Sequence, residues 1–177
     1  MQAGSILRNA MAGVCLCLVA ACGGDGNFGG SFGEGTSFAS RYASARSALE
    51  AGKYDRANRI YADLVETAGP NEAAVRLEYA HSLLRGEEYA EASAQARFLA
   101  QGSEGADRAA ALYVLGTAQD ELGRDAAQAG DFPLAKSHFS SARSALTEAL
   151  KISPEMDSIG SMAGRLKEIE LRLKSLG

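Results

Sequence analysis

The chain's strongest nucleophiles are its three cysteines, Cys15, Cys17 and Cys22, and all of them fall within the first 22 residues. A thiolate can attack an electrophilic carbon, bind zinc or form a disulfide. No cysteine follows Cys22, so none of that chemistry is open to the rest of the chain. The two histidines, His81 and His138, lie outside any His-Glu-x-x-His spacing, and no metal site is expected from them. His138, between Ser137 and Phe139, reads as a surface residue on a helix. Serines are plentiful, yet Ser158-Ile159-Gly160 and Ser161-Met162-Ala163-Gly164 lack the Gly-x-Ser-x-Gly frame of a nucleophile elbow. The glycines after Cys22 are not followed by Gly-Lys-Ser/Thr and so make no phosphate cradle. The acid pairs Glu87-Glu88 and Asp120-Glu121 are sequence neighbours and read as solvated faces. These residues predict no catalytic site, no cofactor and no small-molecule substrate.

One cysteine has a distinctive setting. After Arg8, the stretch from Met11 to Ala21 is uncharged and ends in Val19-Ala20-Ala21-Cys22. It is too short to span a bilayer as a helix and suits the apolar core of a signal peptide. The tetrapeptide resembles the lipobox of bacterial lipoproteins. The resemblance implies cleavage between Ala21 and Cys22, with residues 1–21 removed and the Cys22 thiol acting as the nucleophile that takes up diacylglycerol. Two or three acyl chains hold a protein on a membrane far more firmly than one, at about 0.8 kcal/mol per buried methylene. Gly23, where an aspartate would favour retention, implies the periplasmic face of the outer membrane in a Gram-negative envelope.

Residues 22–37 carry the lipid site and then a predicted flexible tether. Seven of the fifteen residues 23–37 are glycine, too many to order as a helix or strand. A chain of that length reaches roughly 20 Å, enough to clear the lipid headgroups. Phe28 and Phe32 interrupt it, as an interfacial contact or a short motif. The net charge is −4, and removing residues 1–21 would take away only Arg8. An acidic chain without a basic cluster argues against nucleic-acid binding and against electrostatic docking on anionic lipid.

From Phe38 onward apolar residues recur at three- and four-residue spacing, which predicts an all-α fold. The helices are organised as a repeat. Gly52-Lys53-Tyr54, Gly86-Glu87-Glu88-Tyr89 and Gly130-Asp131-Phe132 each pair a turn glycine with an aromatic, and Ala57, Ala92 and Ala135 follow three residues after it. Tyr54 and Tyr89 are 35 residues apart. This resembles the tetratricopeptide repeat, whose period is near 34. The resemblance implies a right-handed α-solenoid of about three helical hairpins over residues 38–153. Small first-helix residues at Ala45, Ala80 and Gly116 would face the second helices, and Tyr61 and Phe139 match a later aromatic that Ala96 replaces in the middle repeat.

The third repeat is longer. Gly116 precedes Gly130 by fourteen residues, whereas Ala45 precedes Gly52 by seven. Both arms gain about two turns, which lengthens the hairpin tip by roughly 10 Å. Asp131 and Pro133 read as a cap and a first-turn proline. Gly123–Ala129 is either part of this helix or a loop. Ser153-Pro154 then opens residues 154–177, where Ile159, Met162, Leu166, Ile169, Leu173 and Leu176 form one apolar stripe. A capping helix over the last repeat is expected, and self-association through the same stripe is the alternative. Gly160 and Gly164 each cost roughly 1 kcal/mol inside a helix, which favours a late start.

In the tetratricopeptide family the first helices line a groove for a peptide or helix. Carried onto this chain, the groove would comprise Tyr42, Arg46, Leu49, Leu77, His81, Leu84, Arg85, Tyr113, Thr117, Asp120 and Glu121, with the leucines open to a core role as well. It lacks the lysine and asparagine set that holds a terminal carboxylate in chaperone-binding members. The expectation is a membrane-anchored, non-enzymatic scaffold that binds an envelope protein or peptide in assembling a pilus, secretion or outer-membrane complex. An accessory or activator subunit of an envelope enzyme is the alternative.

Overall fold

The computed structural model describes residues 37–177, so the expected signal peptide and tether, with Ala21, Cys22, Phe28 and Phe32, lie outside the described residues. Seven α-helices occupy the described part, without a strand among them: α1 (Phe38–Glu50), α2 (Tyr54–Thr67), α3 (Glu72–Arg85), α4 (Tyr89–Gly102), α5 (Gly105–Gln128), α6 (Phe132–Ile152) and α7 (Ser161–Ser175). Each packs chiefly on the helix before and the helix after it.

Three turns of one design join α1 to α2, α3 to α4 and α5 to α6. The N–H of Gly52 donates to the Leu49 carbonyl at 3.1 Å, and that of Lys53 to Ala48 at 2.8 Å. Glu87 and Glu88 repeat the pattern on Leu84 and Leu83, as do Gly130 and Asp131 on Ala127 and Ala126. This is the Schellman closure of a helix C-terminus, with one residue in the left-handed conformation. That residue is Gly52 or Gly130 in two turns, but in the middle one it is Glu87, at φ 65°, and not the neighbouring Gly86. Across the hairpins, a Cβ on Gly86 would sit 3.0 Å from the Tyr54 Cβ. Gly86 provides clearance, and the left-handed Glu87 holds the same register, five places before the buried alanine, as Gly52 and Gly130.

Counted from these turns, Ala57, Ala92 and Ala135 occupy the same place and are fully buried. Ala45 and Ala80 each precede their left-handed residue by seven positions; the third member of that set is Gly123, not Gly116. A Cβ on Gly123 would lie 2.7 Å from the Phe139 ring, and one on Gly116 2.6 Å from Leu146 Cγ. Both glycines lie on the α6-facing side of α5. The middle hairpin has Ala96 where the others bury Tyr61 and Phe139, and Val114 of α5 packs against Ala80 and Ala96 there.

The long third hairpin is helical on both arms, with 24 residues in α5 and 21 in α6 against 14 each in α3 and α4. The segment after Gly123 is therefore helix, through Gln128. Asp131 caps α6 by accepting the Leu134 N–H at 3.0 Å, with Pro133 in the first turn. Phe132 and Leu134 remain exposed at this tip.

The last helix starts later than Pro154. Pro154–Asp157 is a 3-10 turn, Gly160 is left-handed at φ 73°, and α7 begins at Ser161. The Asp157 carboxylate accepts the N–H groups of Met162 and Ala163, both at 2.8 Å. These bonds, that to Met162 foremost, hold its carboxyl below the usual range. Ile159 falls outside the helix and is 88% exposed, so the apolar stripe starts at Met162. Met162 and Ile169 are buried in one core with Phe139, Leu146 and Ala149, and Leu166, Leu173 and Leu176 pack against it.

Candidate interaction surface

Tyr42 of α1 stands edge-on to the buried Tyr61 ring, with centroids 6.2 Å apart. Four residues on, Arg46 is exposed and bridges α1 to α3, 3.6 Å from Glu50 and 3.5 Å from Glu78. His81, one turn beyond Glu78, is half-buried, and burial lowers its pKa against the opposing pull of that carboxylate. Leu77 and Leu84 are half-buried and reach the cluster around Ala80 and Val114, while Tyr113 packs half-buried on the neighbouring core. Arg85 is exposed, its guanidinium 5.6 Å from the centre of the Tyr54 ring. Tyr42, Arg46, Leu77, His81, Leu84, Arg85 and Tyr113 thus retain surface on α1, α3 and α5.

The other four residues assigned to the groove are placed differently. Leu49 is buried in the first hairpin's core. Thr117 is buried, and its hydroxyl has no partner among the described residues. Asp120 has no exposure at all. Its carboxylate takes Arg165 at 2.7 Å and Arg172 at 3.0 Å from α7, and Arg124 at 3.2 Å from its own helix. Glu121 takes Arg165 as well, at 2.9 Å, and Arg124 at 3.4 Å. The Asp120-Glu121 pair, a solvated face by sequence, is where α7 fastens to α5. Three cations meet three carboxylates here once Glu168 is included, 3.2 Å from Arg172. These contacts offset much of the cost of desolvating the Asp120 carboxylate, while the buried Arg124 Nε has no hydrogen-bond partner among the described residues.

The sequence reading missed Arg124, Arg165 and Arg172 as partners. A signal was present: Arg165 and Arg172 are seven residues apart, which puts them on one face of a helix. His138 is also more engaged than a surface residue, because its Nδ1 lies 2.9 Å from Gln119 Oε1. Gln119 in turn donates to Ser93 Oγ at 2.6 Å, so one polar chain links α6, α5 and α4. A second link, Ser82 to Asn58 at 2.6 Å, ties α3 to α2.

Among the described residues no cluster of three His, Cys, Asp or Glu is set to hold a metal ion, and no helix is long and apolar enough to cross a membrane. The described residues form an all-α chain of successive helical hairpins, with partly buried aromatic and aliphatic side chains on α1, α3 and α5. No known protein family, curated protein or solved structure matches it.

Proposed function

We propose that the protein is a lipid-anchored tetratricopeptide-type scaffold of the bacterial envelope. In this reading the helices stack as a solenoid whose first helices, α1, α3 and α5, receive a polypeptide partner. The three Schellman turns carry the proposal. They recur 35 and 43 residues apart, from Gly52 to Glu87 to Gly130, with the same alanine five places later each time. Helical pairs repeated in one register stack by burying each hairpin against the next, and such stacks present extended binding surfaces. The surface residues suit a polypeptide: Tyr42, Leu77, Leu84 and Tyr113 as apolar anchors, with Arg46, His81 and Arg85 as polar contacts. Cys22 would supply the membrane attachment, and α7 the cap.

The test is in-cell cross-linking of the full chain, followed by recovery of bound envelope proteins, repeated with Leu84→Asp and Tyr113→Ala. Both variants are checked for native helicity by far-UV circular dichroism. Loss of the recovered partner in folded variants is expected; a partner retained by both would remove the groove from the account. Mass spectrometry of the mature N-terminus tests the anchor, and an unacylated Cys22 would refute it.

A further inference from the structure

We infer that the polypeptide-binding face has a specific recess for an apolar side chain flanked by a lysine or arginine of the partner. This rests on the groove reading above and narrows it. Where α3 and α5 begin and α4 ends, Ala73, Ala74, Leu77 and Leu99 line a hollow of about 280 Å³, with Ser103 and Asp107 at its margin. Its volume falls just below the range of about 300–1,000 Å³ for pockets that enclose drug-sized ligands, which favours a single side chain as occupant. Two residues create the space: Ala73 and Ala74 put only methyl groups where α3 turns toward α4 and α5. A second hollow shares Ala73, Leu99 and Ser103 and continues to Phe98, whose exposed ring lies 4.4 Å below the Arg76 guanidinium. The lining is mainly apolar, with Asn71 and Glu72 adding polar groups where α3 begins.

Charge selects the occupant. Asp107 is exposed and makes no ion pair or side-chain hydrogen bond among the described residues, and nor does Glu104 one turn earlier. The nearby cations are committed elsewhere. Arg108 pairs with Glu148 at 2.7 Å and bonds the Ala100 carbonyl; Arg76 pairs with Glu72 at 2.6 Å and bonds Gln95. A largely apolar recess with the unpaired Asp107 carboxylate in its lining complements an aliphatic or aromatic side chain next to a cationic one, and like charge repels acidic competitors.

The probe is a phage-displayed random 12-residue peptide library selected on the immobilised full chain, with enriched peptides synthesised and measured by fluorescence anisotropy. Enriched peptides are expected to carry Leu, Ile or Phe within two positions of Lys or Arg. Ala74→Trp, an exposed position, fills the hollow and should weaken binding at least tenfold. Asp107→Asn should weaken it roughly two- to fivefold, the range of an exposed ion pair, and flatten its dependence on salt. Native helicity of both variants is checked first, and Asp107→Asn alone decides the matter if Ala74→Trp fails to fold. No enrichment, enriched peptides without the basic-apolar pairing, or affinities untouched by these substitutions would overturn the inference. Peptides weakened by Tyr113→Ala but indifferent to Ala74→Trp and Asp107→Asn would leave the groove standing and refute the recess; peptides indifferent to all three would refute both.

Discussion

Replacing Asp120 by alanine is expected to release α7 while leaving the hairpins folded. Removing one partner of a buried ion pair costs about 3–5 kcal/mol, mostly because the other charge is left stranded. Here the three stranded guanidiniums are partly exposed, Arg165 by 27%, Arg172 by 32% and Arg124 by 37%, and Glu121 and Glu168 remain beside them. Water and those carboxylates would recover part of the loss, so we expect about 2–3 kcal/mol. With a urea slope of roughly 2 kcal/mol per molar, the unfolding midpoint falls by about 1–1.5 M if α7 unfolds with the rest. If α7 opens alone, hydrogen exchange places the loss there: amides from Arg165 to Arg172 exchange roughly 30- to 150-fold faster, with those of α1–α4 unchanged. A double-mutant cycle with Arg172→Met should give a coupling of about 1 kcal/mol or more. A loss below about 0.5 kcal/mol, or additive single effects, would refute the claim that this carboxylate fastens the helix.

Five further substitutions probe the turns, the helices and the core. Glu87→Gly relieves a left-handed non-glycine residue and should stabilise by about 1 kcal/mol in urea unfolding, whereas Gly86→Ala meets Tyr54 and should destabilise. Gly164→Ala has open space around it and should stabilise by about 1 kcal/mol, while Gly123→Ala drives a methyl into Phe139 and should cost about 1 kcal/mol or more despite the same propensity gain. The Tyr61 phenol is pushed up to about 12, first by burial and then by the Glu78 carboxylate, from an ordinary value of 10. Its neutral form is favoured in the fold, so its contribution is complete below pH 10 and is lost as pH rises toward about 12. Because the buried hydroxyl has no partner among the described residues, Tyr61→Phe should be neutral or stabilising by up to about 1 kcal/mol at pH 8 and should lose less stability at pH 11.5, measured as urea midpoints at both values.

The helical class and the hairpin turns were legible because they depend on local chemistry. Gly52, Gly130, Asp131 and Pro133 act within a few residues of themselves, and the structure uses them as their types require. The extra length of the third hairpin was legible too, since it is a count along the chain. Readings that depended on what lies opposite fared less evenly. Gly86 looked like the turn residue until Tyr54 was placed against it, and Gly116 looked like the third small residue until the lengthened arms shifted that place to Gly123. Asp120 was the hardest to foresee. An acidic residue beside Glu121 reads as solvated unless the cations of α7, 45 and 52 residues away, are known to converge on it. The proposed face of Tyr42, Leu77 and Tyr113 comes from aligning the repeat, whereas the hollow beside Ala74 belongs to no single helix and has no signature along the chain.

The two bare positions on α5 have a mechanical consequence. Gly116 and Gly123 are seven residues apart, and so are the Leu146 and Phe139 that fill them, in reverse order. The pair works as a keyed joint with two notches and two teeth. Slipping the helices by one turn would bring both teeth out of their notches at once, at the expense of two close-packed contacts. The register of α6 along α5 is thereby set within the helices themselves, and a longer or looser bend at Gly130 would leave it unchanged.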